Sequence, residues 1–407
     1  MLLNYKEKTH CICCNSSNLK IILDLGKQPL ANSYHELDEE LDEFPLGLNL
    51  CTNCFHLQLS HIVNPDLLFK HYLYVSGTSA TSHAYFDWFV RFVQEYTGKQ
   101  NGTVLDIACN DGSQLDYFQK HGWNTFGVEP AVNLYEVSKQ KHSVVCDYFK
   151  SPIFDNRTFD IIVAQNVFAH LEETKQFLDD CYSMMTDDSY LFIQTSQAEL
   201  INNNQYDTIY HEHLSFFNIN SMNELVKRTK LYLVDVIKSH IHGISYIFVI
   251  SKKNTNSTYV QNHIAVEREK GLLNLNTYEE YSKNVNYSGK QFSDTVKQFK
   301  NEGYKIIGYG AAAKGMTVLN FTNVKLDLII DDNPLKHNLY TPGMNIQILP
   351  QSALEEYSLD DKIVFVPLAW NFFNEIKSKI LKIRQSKNDI FLMYFPYIRI
   401  VESTNIL

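Results

Sequence analysis

Val104-Leu105-Asp106-Ile107-Ala108-Cys109-Asn110-Asp111-Gly112-Ser113 reads as a buried strand running into a glycine-containing turn and then into a helix that starts near Ser113. Backbone amides in such a turn, and the N-terminus of the helix behind it, approach a small polar ligand closely. One glycine is a weak signal by itself. It gains weight from Phe126-Gly127-Val128-Glu129-Pro130, about twenty residues on, where the next strand ends in a carboxylate suited to accept hydrogen bonds from ribose hydroxyls.

Outward from that turn the pattern repeats. Thr125-Phe-Gly-Val, Phe159-Asp-Ile-Ile-Val-Ala and Ser189-Tyr-Leu-Phe-Ile-Gln are apolar runs of strand length, each followed by helical periodicity. They predict parallel strands covered on both faces, an α/β fold with a doubly wound sheet. Residues 231–237 and 245–251 follow as two strands with a short His/Gly-containing connection and no helix, so the sheet is expected to close on an antiparallel pair. Gln165 and Asn166 add polar groups at a third strand end. The ordered series Asp106, Glu129, Asp147 and Gln165/Asn166 resembles the class I S-adenosylmethionine-dependent methyltransferases. The resemblance implies that Glu129, followed by Pro130, holds the ribose, that Asp147, Tyr148 and Phe149 flank adenine, and that Asp106 with Asn110, Asp111 and Gly112 surrounds the methionyl part. An NAD-type Rossmann domain is the alternative, disfavoured because a full G-x-G-x-x-G is missing.

At 407 residues the chain exceeds what one hydrophobic core usually serves. Four segments are expected: a zinc-binding domain over 1–70, a central Rossmann-like methyltransferase domain over 71–255, a helical connector over 256–300, and a second Rossmann-like α/β domain over 301–407. The net charge of −10 argues against an extended nucleic-acid footprint, which needs clustered Lys and Arg. No secretory signal and no membrane-length apolar run is evident, so a soluble, cytoplasmic protein without membrane association is expected. No obligate protein partner is evident either.

Five of the eight cysteines lie in the first 54 residues. Cys11-x-x-Cys14 and Cys51-x-x-Cys54 are paired CxxC turns, which present four thiolates to one tetrahedral Zn²⁺. Four thiolates leave no open coordination position, so the ion is expected to be structural. Cys13 offers a competing register, and unmetallated thiol pairs are the alternative reading. Cys109, Cys146 and Cys181, inside apolar segments, are expected to be small core residues.

Two further stretches carry chemistry. Tyr210-His211-Glu212-His213 follows the fourth strand, on a loop facing the same crevice. Its histidines lack the i, i+4 spacing of a metalloprotease helix, and the cluster suits acid/base chemistry. Ile307-Gly308-Tyr-Gly310-Ala311-Ala-Ala-Lys314-Gly315 again joins a strand to a helix through small residues, a geometry suited to a diphosphate, with Asp331 to Asn333 at the next strand end. A packing turn in a vestigial Rossmann domain is the bland alternative.

Over nearly its whole length the chain resembles the zinc-containing nucleotide-sugar C-methyltransferases of deoxysugar biosynthesis. The resemblance is carried by the paired CxxC, Leu23-Asp-Leu-Gly-Lys-Gln-Pro-Leu-Ala-Asn, Phe44-Pro-Leu-Gly-Leu, Asn110-Asp-Gly, Asn166-Val-Phe-Ala-His, Tyr210-His-Glu-His-Leu-Ser, Tyr309-Gly-Ala-Ala-Ala-Lys-Gly and Asp331-Asp-Asn-Pro. It implies a 4-keto sugar on a nucleoside diphosphate, commonly dTDP with GDP or CDP as alternatives, methylated at C3 (at C5 in some relatives). It further implies His213 as base, Tyr210, Glu212 and His170 orienting or stabilising it, and Tyr74 reaching in from Tyr72-Leu-Tyr-Val-Ser. His211, Gly308, Gly310, Ala311, Lys314, Asp331 and Asn333 are the expected substrate contacts. Two departures from the family pattern are His242-Gly-Ile-Ser, where His-Gly-Gly-Ser is common, and Ser76-Gly77, where paired serines are common. An O- or N-methyltransferase on the same sugar is the enzymatic rival; a zinc-ribbon RNA-binding protein and a sugar-nucleotide dehydrogenase are rivals from other classes.

Overall fold

The computed structural model describes residues 4–37, 39–69, 75–78, 80–155, 157–195, 200–239, 244–255 and 257–403. Packing divides the chain into two compact units that interleave along the sequence. The first takes residues 1–20, 49–198 and 212–274, and the second takes 21–48, 199–211 and 275–407.

The first unit is built on a seven-stranded sheet. From edge to edge it runs Tyr232–Ser239, Ser245–Ser251, Met185–Thr195, Phe159–Gln165, Thr103–Ile107, Asn124–Val128 and Ser143–Val145. The last five are mutually parallel and the first two form the antiparallel closure that the sequence predicts. Side chains alternate as period 2 demands: Leu105, Ile107, Ile162, Ala164, Leu191 and Ile193 enter one core, while Val104, Ile161, Val163 and Phe192 enter the other. The chain winds one way from Thr103–Ile107 and the other way from Phe159–Gln165. The crevice outside their carboxyl ends is therefore the place where such sheets bind ligands.

The second core is covered by the helix Ala80–Thr97, whose buried Phe89, Val90 and Val93 recur at i, i+1 and i+4. Phe89 meets Phe192 edge-on at 6.0 Å between ring centroids. This helix fixes where Ser82, Tyr85 and Phe86 stand relative to the strand ends. Of the three cysteines expected in the core, Cys109 and Cys181 are buried, but Cys146 is exposed. It follows the edge strand Ser143–Val145, which has a neighbour on one side only.

The second unit carries a six-stranded sheet in the order Ile348–Leu349, Leu328–Ile330, Lys305–Tyr309, Ile363–Pro367, Ile390–Met393 and Arg399–Glu402, parallel except for the last strand. The connector forms two helices, Ser257–Glu269 and Leu275–Asn301. The longer one buries Tyr278, Tyr281, Val285, Gly289, Phe292, Val296 and Phe299 on a single stripe spaced by threes and fours.

Candidate active site

The turn after Thr103–Ile107 is left-handed three times, at Ala108 (φ 59°), Asn110 (φ 53°) and Gly112 (φ 82°). Two of these are not glycine, a strained arrangement that persists where surroundings fix it. Glu129 does the fixing. One carboxylate oxygen accepts the Asn110 amide at 2.8 Å and the other accepts the Ala131 amide at 2.8 Å. Asp111 accepts the Ser113 amide at the start of the helix Ser113–Lys120, at 3.1 Å. It also accepts the Gly77 amide at 3.1 Å, while Asn110 Oδ1 accepts the Ser76 amide at 3.0 Å. Gly77, one of the two departures, has a local reason: a Cβ there would fall 2.6 Å from Asp111 Oδ2 and closer still to Ser113 Oγ.

Above this turn lies a cleft of about 290 Å³. Of the expected cofactor contacts, Asp106, Asn110, Glu129, Pro130, Tyr148, Gln165 and Asn166 line it. Asp111 and Gly112 shape the turn beneath. Asp147 is exposed and pairs with Lys150 at 3.2 Å, and Phe149 packs against Phe177 with ring centroids 5.2 Å apart. Ser82, Tyr85, Phe86 and Gln114 line the cleft too, without a motif in the sequence to mark them. Gln114 alone sits near one, two residues beyond Gly112.

The cleft's electrostatics suit a cation. Among the described residues its lining includes Asp106, Glu129 and Glu172 and neither Lys nor Arg. Glu172 is neutralised by Lys6 at 2.8 Å and Lys8 at 3.0 Å. Asp106 is 4% exposed, and its side chain makes no hydrogen bond among the described residues. Burial, with Glu129 and Asp111 nearby, pushes its carboxyl well above the ordinary range. Burial also raises Glu129, offset in part by the two amides it accepts. An orphaned buried carboxylate is costly unless a ligand satisfies it. The ammonium and sulfonium of S-adenosylmethionine are groups of the required sign, so the residues present fit that cofactor.

His170 also lines the cleft, its ring stacked on Phe69 at 5.5 Å and 5.2 Å from the ring of His213. Burial lowers His170 to about 4, so it is neutral at physiological pH. His213, 9% exposed, also lies against Phe216. Glu212 is buried beside it in sequence, whereas Tyr210 and His211 belong to the second unit. There His211, a residue expected at the substrate, is buried with its Nε2 3.2 Å from the Phe44 carbonyl. Tyr74 lies outside the described residues, as do His242 and Gly243.

The thiol site is compact. Cys11, Cys14, Cys51 and Cys54 place all four sulfurs within 4.8 Å of one another, with Cys11 to Cys54 at 3.6 Å and Cys14 to Cys51 at 3.5 Å. Tetrahedral zinc with Zn–S bonds of about 2.3 Å requires sulfurs about 3.8 Å apart, so the set fits the ion. Each CxxC closes in the same way: Asn15 (φ 62°) donates to the Cys11 carbonyl at 2.9 Å and Phe55 (φ 57°) to the Cys51 carbonyl at 2.8 Å. Cys13 is outside the four. It is wholly buried, and its carbonyl is held by Arg228. Asn220 donates to the Cys54 carbonyl at 2.9 Å and Asn218 to the Phe55 carbonyl at 2.7 Å, tying the thiol turns to the helix Ile219–Val226.

In the second unit, the small-residue turn brings Gly308, Gly310 and Ala311 to the helix Ala313–Thr322. Asp331 accepts the Ala311 amide at 2.6 Å and the Asn333 amide at 2.8 Å, so a carboxylate of the chain already occupies that donor. Lys314 is largely buried with its ammonium 5.0 Å above the Trp370 ring. Lys336, which no motif marks, donates to the Ala311 carbonyl at 2.7 Å.

Three family models match the chain in succession: a zinc binding domain over residues 11–69, a methyltransferase domain over 78–236, and a C-methyltransferase C-terminal domain over 240–396. The C-methyltransferase NovU of Streptomyces niveus is 26% identical over 383 residues, covering 90% of this chain and 90% of that protein. The ubiquinone biosynthesis O-methyltransferase of Nitrobacter winogradskyi is 31% identical over 88 residues, 20% of this chain and 34% of that protein. An S-adenosylmethionine-dependent methyltransferase structure from Clostridium acetobutylicum shares 12% identity and a TM-score of 0.36, covering 42% of this chain and 91% of that one. The doubly wound sheet, the carboxylate-lined cleft and the four-thiol site together define a zinc-containing methyltransferase. The chain is an S-adenosylmethionine-dependent C-methyltransferase with a zinc-binding domain.

Proposed function

We propose that this chain methylates C3 of a 4-keto deoxysugar carried on a nucleoside diphosphate, dTDP before GDP or CDP. The observation that carries the reading is the arrangement at the cleft: a carboxylate pocket for the donor at Asp106 and Glu129, with His170 in the same lining and the His213 ring 5.2 Å from it. NovU, the similar protein covered over most of its length, is a C-methyltransferase by name.

A carbon beside a ketone becomes nucleophilic only after losing its proton. His213 takes the C3 proton and the electron pair spreads onto the ketone oxygen, with Tyr210, Glu212 and His170 orienting or stabilising the base and Tyr74 as a further expected contact. S-adenosylmethionine supplies an electrophilic methyl on its sulfonium. The neutral His170 beside His213 keeps a second cation out of the site. Positioned proton transfer of this kind is worth roughly 10²- to 10⁴-fold. The nucleotide handle is assigned to the second unit around Gly308, Gly310 and Lys314, with Lys336 as an additional cation; Asp331 and Asn333 hold the turn's shape there.

The test is the product. Incubation with S-adenosylmethionine and a dTDP-4-keto-deoxysugar is expected to give a methyl carbon bonded to a ring carbon in the NMR spectrum. An O-methyl or N-methyl signal in its place contradicts the C-methylation reading, and turnover of GDP- or CDP-linked sugars alone contradicts the nucleotide.

A further inference from the structure

The small residues of the turn 308–315, in the second unit, serve packing before they serve a ligand. A Cβ on Gly315 would fall 2.7 Å from Leu368 Cβ, and one on Gly310 would fall 3.0 Å from Ala369 Cβ. Without them, the segment after the strand Ile363–Pro367 lies against the turn, and that contact brings Trp370 to Lys314. The turn's amides are already engaged. Gly310 donates to the Ile330 carbonyl at 2.7 Å, Ala311 to Asp331, and Ala312 to the Gly310 carbonyl at 2.8 Å.

Lys314 is placed differently. It sits in the first turn of the helix Ala313–Thr322, where a cation opposes the helix dipole and no acidic residue offsets it. Among the described residues its ammonium makes no hydrogen bond and no ion pair, whereas Lys336 is spent on the Ala311 carbonyl. Lys314 is only partly exposed, yet its ammonium still meets solvent. A cation so placed is satisfied by an anionic ligand.

What fixes the ammonium is Trp370, whose ring centroid lies 5.0 Å from it. The ring is held twice: it packs on Phe395 with centroids 4.4 Å apart, and its Nε1 donates to Asp207 Oδ2 at 2.5 Å. Asp207 is 1% exposed, accepts Gln205 Nε2 on its other oxygen at 2.9 Å, and has the Tyr394 hydroxyl 3.3 Å from Oδ2. All of these residues belong to the second unit. A buried carboxylate costs stability, and among the described residues no Lys or Arg pairs with this one. Burial lowers Lys314 from its ordinary range and Asp207 works against that, attracting the ammonium without taking up its protons.

We propose that Asp207 is a positioning residue for the nucleotide diphosphate: it anchors the Trp370 indole, the ring carries the Lys314 ammonium, and the ammonium meets the phosphate oxygens. The inference rests on the assignment of the nucleotide handle to Lys314 made above.

The test is a double-variant cycle. Full-length wild type, Lys314→Met, Trp370→Phe, Asp207→Asn and the Lys314→Met/Trp370→Phe double variant are titrated calorimetrically with dTDP, and KM and kcat are measured for the dTDP-4-keto-deoxysugar. Lys314→Met is expected to weaken dTDP about tenfold or more, as for a lost bond to a charged group. Trp370→Phe keeps a ring but loses the N–H. It and Asp207→Asn are each expected to weaken dTDP about fivefold, with KM raised in step and kcat within about twofold of wild type. With Met at 314, Trp370→Phe is expected to add less than about twofold. An equal loss on both backgrounds overturns the proposal, because the ring would then act apart from the ammonium. A fall in kcat at unchanged KM overturns it as well. Undiminished dTDP affinity in Trp370→Phe and Asp207→Asn beside a loss in Lys314→Met also overturns it, while the nucleotide assignment stands. Undiminished affinity in Lys314→Met overturns the assignment and the proposal together. Should Asp207→Asn fail to fold, Trp370→Phe removes the same bond from its other side and the cycle decides.

Discussion

Glu129 Oε2 accepts the Asn110 amide at 2.8 Å, across the crevice between two neighbouring parallel strand ends. A residue expected to hold a ribose thereby also holds the strained turn proposed to surround the methionyl group. Binding and turn shape are coupled through one carboxylate. Glu129→Ala is accordingly expected to weaken S-adenosylhomocysteine by more than a single ribose hydrogen bond predicts, about 100-fold or more, and Glu129→Gln by about tenfold. Calorimetric titration of both variants checks this, and equal losses would show that the turn stands without Glu129.

Gly77 is a second control on the same turn. Its amide donates to Asp111, and a Cβ would fall 2.6 Å from the accepting oxygen. Gly77→Ala is expected to loosen S-adenosylhomocysteine roughly tenfold while changing the unfolding midpoint little, because the contact lies at the cleft and outside the two cores. Unaltered affinity would mean that the Asp111 side chain moves aside at no cost to the turn.

The zinc site is expected to act on stability. One zinc per chain by atomic absorption, and thiolate-to-metal bands of a tetrahedral site on cobalt substitution, are the expected signatures. Cys14→Ser or chelation should lower the unfolding temperature by several degrees, since the thiol turns hold the helix Ile219–Val226 through Asn218 and Asn220. The cobalt form should stay active; loss of activity on faithful substitution would assign the metal a part in the chemistry.

Glu267 gives the fold a pH dependence. Buried at 3% exposure, it accepts the Ile219 amide at 2.7 Å and the Asn220 amide at 2.9 Å, and burial raises its carboxyl from 4.5 to about 7. The folded state thus keeps a proton that the unfolded chain has released between those values. The stability this group contributes is complete below pH 4.5 and is lost as pH rises through 7. Urea unfolding at pH 5 and pH 8 should show wild type losing about 2–3 kcal/mol more than Glu267→Gln. Parallel losses would contradict the assignment.

Much of this was legible in the sequence, for reasons that differ by element. The buried strands Thr103–Ile107 and Phe159–Gln165 are short apolar runs whose ends carry polar residues that line the cleft, so pattern and cleft coincide. The four zinc thiols are marked by spacing, and geometry removed Cys13 as a competitor. Tyr85 and Ser82 were not legible, because they lie on an amphipathic helix whose aromatic stripe reads as core, and only the crevice shows that its first turns end at the cleft. The diphosphate turn was legible as a strand-to-helix junction. That Asp331 fills its amide was not, since strand pairing between Lys305–Tyr309 and Leu328–Ile330 brings the two together from twenty residues apart. The interleaving of the two units likewise follows packing, which no local pattern encodes.

The central claim is proton abstraction by His213 before methyl transfer. Wild type and His213→Ala, each with S-adenosylmethionine-binding confirmed, should be incubated with a dTDP-4-keto-deoxysugar in deuterated water while deuterium at C3 and C5 and product mass are followed. The account predicts exchange at C3 and gain of one methyl group in wild type, with both lost in the variant. Methyl gain without any dependence on His213, or exchange confined to C5, would contradict it.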